Sequence, residues 1–182
     1  MIRSLWLWSR GRVDGAGDGV STFGYTAGTL AIPAAFLVAS IVEAIAVHLL
    51  VPWAWLRVVL LVITVASIVA VANWFAARAV HPHLVTSDGL TLRSGRHTIL
   101  TVDRSRIVRA VPTRRFGHTT PGIHDGRFYL PGPDGTVIDI DFDTPVGVEH
   151  SSLGSCGPQM VTGVSLHVDA PRDLCARLSM RG

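Results

Sequence analysis

Between Thr26 and Ala77 the chain carries only two formally charged side chains, Glu43 and Arg57. A helix bathed in water keeps a polar face, and so long a stretch without one restricts the fold more than any motif does. Two apolar runs fill it: GTLAIPAAFLVASIVEAIAVHLLV, 24 residues from Gly28, and WLRVVLLVITVASIVAVANWFAARAV, 26 residues from Trp55. A helix of about 20 apolar residues crosses a bilayer core. The runs therefore predict a membrane α-helical hairpin, with transmembrane helices at about 27–51 and 55–80. The short Pro52-Trp53-Ala54 link closes the hairpin and sets Trp53 and Trp55 at headgroup level. Composition agrees: 16% of the residues are charged and the mean hydropathy is +0.41, where soluble domains carry about a quarter charged residues.

Three segments follow from this reading: an N-terminal tail over 1–25, the hairpin over 26–81, and a single folded domain over 82–182. A secretory signal fits the first run poorly, since it starts far from Met1 and no small-residue cleavage site precedes the second run. Arg3, Arg10 and Arg12 precede the first helix and Arg78, Arg93 and Arg96 follow the second, whereas Arg57 alone lies at the turn. The positive-inside bias places both termini in the cytoplasm of a multi-pass cell-membrane protein. Cys156 and Cys175 then meet a reducing compartment, where a structural disulfide is not expected. All 16 basic residues are arginine, which reflects GC-rich bacterial coding and points to no ligand. The Leu5–Trp8 stretch near the N-terminus reads either as a surface-lying segment or as a disordered tail.

A carboxylate inside a membrane helix is costly unless paired, protonated or near water, which singles out Glu43. Counting outward from the turn, Thr64 lies at the depth of Glu43 as a hydrogen-bond partner, and His48 and Arg57 form a level nearer the turn. Asn73 and Pro33 match at the far end, where Asn73 is expected to satisfy the carbonyl that Pro33 frees. Three roles compete for Glu43: an inter-helix hydrogen bond, an oligomer contact, and a proton or ion site.

After Val80 the pattern turns to short alternating runs broken by turn residues, which predicts a small mainly-β barrel or sandwich of antiparallel strands. Strands are expected at 84–86, 90–93, 98–102, 106–111, 127–130, 136–142 and 163–168. Gly89 is expected to supply positive φ to a hairpin turn, and Pro131–Gly135 forms a second turn. In the sixth strand Ile138, Ile140 and Phe142 share one face, while Asp139, Asp141 and Asp143 form a solvated opposite face. A C-terminal helix follows, capped by Asp169 or a near neighbour, with Pro171 in its first turn and Leu174 and Leu178 facing inward. The Gly/Pro/Ser-rich stretch from Thr144 to Gln159 interrupts the late strands.

This strand order resembles the bacterial pleckstrin-homology-like domain. The whole chain resembles uncharacterised two-helix membrane proteins of actinobacteria, through Ile41-Val42-Glu43 and Ala46–Val51 in the first helix, His81–Val85 and Asp88–Arg93 after the second, and the terminal strand and helix. The resemblance implies an anchored scaffold or sensing module, without an enzymatic reaction.

Candidate chemistry is sparse. His81 and His83 flank a proline that points their rings apart, and His118, His124, His150, Cys156, His167 and Cys175 lack ligand spacing, so no metal or cofactor is expected. Gly154-Ser155-Cys156-Gly157 lacks the strand and helix of a nucleophile elbow. Arg104, Arg106, Arg109, Arg114 and Arg115 form a basic cluster near the membrane. No aromatic platform for bases accompanies it, so anionic lipid headgroups or a protein partner are favoured over nucleic acid. Its competing reading is a set of strand arginines paired with nearby aspartates. Two functions remain open: a lipid- or partner-contacting anchored module, and an accessory subunit of a larger membrane complex, or a homo-oligomer, docking through the hairpin and Glu43.

Overall fold

The computed structural model describes residues 2–15, 17–29, 31–150 and 157–179. Two long apolar helices are followed by a mainly-β domain of two sheets and a C-terminal helix. A short helix α1 (Ile2–Ser9) and a strand β1 (Ser21–Phe23) precede them.

Helix α2 (Ala31–Leu50) and helix α3 (Ala54–Val80) form an antiparallel pair joined by Val51, Pro52 and Trp53. Both are long and apolar enough to cross a membrane, and the most apolar 18-residue windows are 6% and 0% buried. At 1.5 Å per residue α3 is about 40 Å long. Helix α2 starts later than the expected position 27 because the preceding residues belong to the β domain. The Asp169 carboxylate accepts hydrogen bonds from the amides of Ala27 at 2.9 Å and Thr26 at 3.3 Å. Asp169 therefore does not cap the C-terminal helix; its own amide donates to the Gly24 carbonyl at 2.9 Å.

Strands β1, β2 (His83–Val85), β3 (Gly89–Ser94) and β4 (His97–Asp103) form an antiparallel sheet in chain order, sheet A. β1 comes from the segment expected to be a tail, and pairs Phe23 with His83 and Ser21 with Val85. The β2–β3 hairpin forms as expected, but Gly89 does not adopt positive φ. It is glycine because a Cβ there would lie 2.3 Å from the Val102 carbonyl oxygen.

Sheet B contains β5 (Ile107–Arg115), β6 (Gly122–His124), β7 (Arg127–Leu130), β8 (Thr136–Val148) and β9 (Gln159–Leu166), in the order β5-β8-β9-β7-β6. The expected Pro131–Gly135 turn is present, with the Gly132 amide donating to the Gly135 carbonyl at 2.8 Å. The strands on either side of it do not pair with each other. β9 inserts between them, antiparallel to β8 and parallel to β7, which departs from the all-antiparallel order expected. The Thr144–Gln159 stretch interrupts less than expected: β8 continues to Val148 past a register shift between Asp141 and Val146, where Pro145 is tolerated. Residues 151–156 lie outside the described residues. Beyond the shift, β8 reaches sheet A, and the Glu149 amide donates to the Ile99 carbonyl at 2.9 Å.

The core lies between the sheets, built from Leu90, Leu92 and Val102 of sheet A and Phe128, Ile138, Ile140, Val164 and Leu166 of sheet B. Helix α4 (Pro171–Ser179) closes it with Leu174 and Leu178, spaced one turn apart on its buried side.

Candidate functional site

His48, Arg57 and Thr64 line one groove of about 380 Å³ between α2 and α3, with Ala44, Val47 and Leu61. Arg57 donates from Nη2 to the Pro52 carbonyl at 3.5 Å, and its Nε is buried without a partner. Glu43 is exposed, lies outside the groove, and has no hydrogen bond or ion pair among the described residues. The expected Glu43–Thr64 bond is absent because depth matches and azimuth does not. Ala44, Val47 and His48 follow the i, i+3, i+4 row that faces α3, and Glu43 is rotated about 100° from Ala44.

Asn73 and Pro33 do not pair either. Pro33 is the third residue of α2, where backbone amides lack intrahelical acceptors in any case, so it opens no gap in the helix. It lines an apolar groove with Trp8, Phe36, Leu37, Ile68 and Phe75. Trp8 meets Phe75 edge-on with ring centroids 6.0 Å apart, seating α1 on α3. Asn73 Oδ1 is left buried without a partner.

The end of α3 is clamped to sheet A. The Asp14 amide donates to the Val80 carbonyl at 2.9 Å. Asp14 also lies 3.7 Å from Arg93 and 3.8 Å from His81, and Arg93 donates to its carbonyl at 3.2 Å. His81 further contacts the Ala77 carbonyl at 2.7 Å through Nδ1. His83 points the other way, fully buried, with its ring stacked on Tyr25 at 4.8 Å and Nδ1 accepting the Arg93 amide at 3.1 Å. Burial lowers its pKa from 6.5 to about 3. The two histidines thus serve separate structural contacts. Among the described residues no three His, Cys, Asp or Glu side chains converge as metal ligands.

The five clustered arginines separate. Arg115 pairs with Asp139 at 2.8 Å, and the Ser165 hydroxyl donates to the same carboxylate at 2.5 Å. Arg106 lies 3.7 Å from Asp143 and donates to Thr144 Oγ1 at 3.0 Å. Arg104 donates to the Arg177 carbonyl in the last turn of α4. Arg109 and Arg114 remain exposed, without partners among the described residues. Arg106 and Arg115 are thus held by aspartates, Arg104 and Arg109 line one groove of about 550 Å³ beside the end of α4, and Arg114 lines a separate cavity.

Those pairs also correct the picture of a solvated aspartate face. Asp139 is buried, and Asp141 binds Arg127, whose guanidinium lies over Gly163. A side chain at Gly163 would come within 3.0 Å of Arg127 Nη1. Burial alone would raise Asp139, but the hydrogen bonds from Arg115 and Ser165 outweigh it and hold the carboxyl below its ordinary value. Ser165 is fully buried, so its hydroxyl serves this ladder and cannot reach a substrate. His118, His124 and Tyr129 stack beside the ladder, with His118 4.0 Å from Tyr129 and 4.4 Å from His124.

A cavity of about 390 Å³ brings together basic side chains from distant parts of the chain. It lies among Ala27, Thr113, Arg114, His167, Asp169 and Arg172. Arg114 stands out in the sequence as part of the basic cluster, whereas Arg172 obeys no spacing rule and reaches β5 only because α4 packs against that strand. Gly154–Cys156 lie outside the described residues. Protein-family models, curated proteins and solved structures give no match to this chain.

Proposed function

We propose that the chain is a non-enzymatic, membrane-anchored scaffold or sensing module of the cell membrane, whose β domain contacts anionic lipid or a protein partner on the cytoplasmic side. The observation that carries the reading is the outward-facing apolar surface of both long helices, whose central windows are 6% and 0% buried. In water that surface is strongly unfavourable, at about 25 cal/mol per Å², whereas a bilayer covers it at no such cost. Trp53 and Trp55 at the turn, and Arg78 with Arg10 and Arg12 at the other end, supply the aromatic and basic borders expected of an inside-to-inside hairpin. Two sheets closed by α4 support reading the β domain as pleckstrin-homology-like, and the chain as a relative of the two-helix actinobacterial proteins it resembles.

Alkaline carbonate extraction of membranes from cells expressing the full chain tests the anchor. The protein is expected to stay in the pellet with the lipid; release into the supernatant would refute the anchored reading.

A specific observation favours a second reading, the accessory subunit. Glu43 is exposed on α2 without a hydrogen-bond or ion-pair partner among the described residues, so in a bilayer its carboxyl meets lipid unless another helix covers it.

A further inference from the structure

We infer that the cavity between β5, α4 and the residues leading into α2 binds a phosphate group of an anionic ligand, with Arg114 and Arg172 as its charge partners and the His167 ring in its wall. Placing that phosphate on a lipid headgroup rests on the membrane-anchored reading above; the site itself does not.

Three chain segments supply the cationic and polar groups. Arg114 comes from β5, Arg172 from the first turn of α4, and His167 from the residues just after β9. Neither arginine has a partner among the described residues, in contrast to Arg106, Arg115 and Arg127, which are each held by an aspartate. Asp169 is the carboxylate in the lining, and its oxygens already accept the Thr26 and Ala27 amides. Both ring nitrogens of His167 are closed to solvent and lack a hydrogen-bond partner among the described residues, and the ring lies close against Gly132, so it forms part of the cavity wall and does not reach a ligand through nitrogen. Burial lowers the pKa of that ring, against the pull of Asp169 and Asp134, so at neutral pH the wall that it forms is uncharged.

Two guanidinium groups lining one cavity supply the charge-assisted donors that a phosphate oxygen set takes. The first-turn amides of α4 add positive potential on the same side. The volume, about 390 Å³, exceeds that of a bare phosphate and is in the range of small-ligand sites. Its location points to the source: Ala27 lines the cavity and α2 begins at Ala31, so the site opens beside the start of the apolar run.

The test uses the full chain in a zwitterionic detergent with ¹⁵N-labelled histidine, following the His167 ring by NMR. Two probes are titrated separately, dihexanoyl-phosphatidylglycerol and inorganic phosphate. The expected result is a saturable shift of the His167 signals, with binding about fivefold weaker for each of Arg114→Gln and Arg172→Gln, equivalent to about 1 kcal/mol per guanidinium. Arg109→Gln, on the same strand but outside the cavity, is expected to leave affinity unchanged. A response to the lipid alone supports a headgroup site, and an equal response to phosphate supports a site for a free phosphate. The inference is overturned if neither probe moves His167, or if Arg109→Gln weakens binding as much as Arg114→Gln. Carbonate extraction reports on the anchor independently, so failure of one reading is distinguishable from failure of the other.

Discussion

His83 is the first residue of β2 and is fully buried, and its pKa of about 3 makes stability depend on pH in a defined direction. Above pH 6.5 the ring is neutral in both the folded and unfolded chain and contributes no pH dependence. Below it the unfolded ring takes up a proton that the folded ring refuses, and stability falls by about 1.4 kcal/mol per pH unit until the folded value is reached. His150 and His167 are also lowered by burial and add to the same trend. Denaturation midpoints measured from pH 7 to pH 5 are therefore expected to fall. His83→Gln, which keeps an acceptor for the Arg93 amide and does not titrate in this range, is expected to flatten part of that slope; an unchanged slope would remove His83 as its source. The sequence exposed the alternation of Asp139, Asp141 and Asp143 but not their burial, because Arg115, Arg127 and Ser165 reach them only through strand pairing. Glu43 shows the same limit. Depth along a helix follows from counting, whereas the direction a side chain faces depends on which stripe the partner helix covers.

Strand β1 is only three residues long, and nothing in its Gly/Asp-rich surroundings announces it, yet it shields the edge of β2 and buries Phe23. Deleting residues 1–24 removes β1, α1 and the Gly24 carbonyl that accepts the Asp169 amide. The expected loss is roughly 3–5 kcal/mol, from burial of one aromatic side chain and a few ladder hydrogen bonds. The melting temperatures of the full and shortened chains in the same detergent measure it, and equal values would show that β1 is dispensable. The long helices were legible because a charge-free run declares itself locally. β2, β3, β4 and α4 were legible because turn residues and alternation coincide. The parallel β7·β9 pair was not, since local pattern marks a strand but does not say which neighbour it will choose.

For the molecule as a whole, the unpaired Glu43 separates self-contained behaviour from assembly. It is exposed and has no hydrogen bond or ion pair among the described residues, so Glu43→Gln is expected to leave the melting temperature unchanged. If another helix covers it, the same substitution is expected to reduce the recovery of partner proteins, or of a differently tagged second copy, after mild detergent solubilisation. Unchanged recovery would argue against docking through this face. The two attachments of the hairpin carry a mechanical consequence. The chain enters α2 from residues held by Asp169 and leaves α3 into residues held by Asp14. A domain hung from one strand of chain swivels freely; one bolted at two separated points keeps its heading, and every copy turns the same side toward its support. Loosening either bolt would leave the helices and the β core intact but free the domain to rotate, so orientation, rather than folding, is what these two aspartates hold in place.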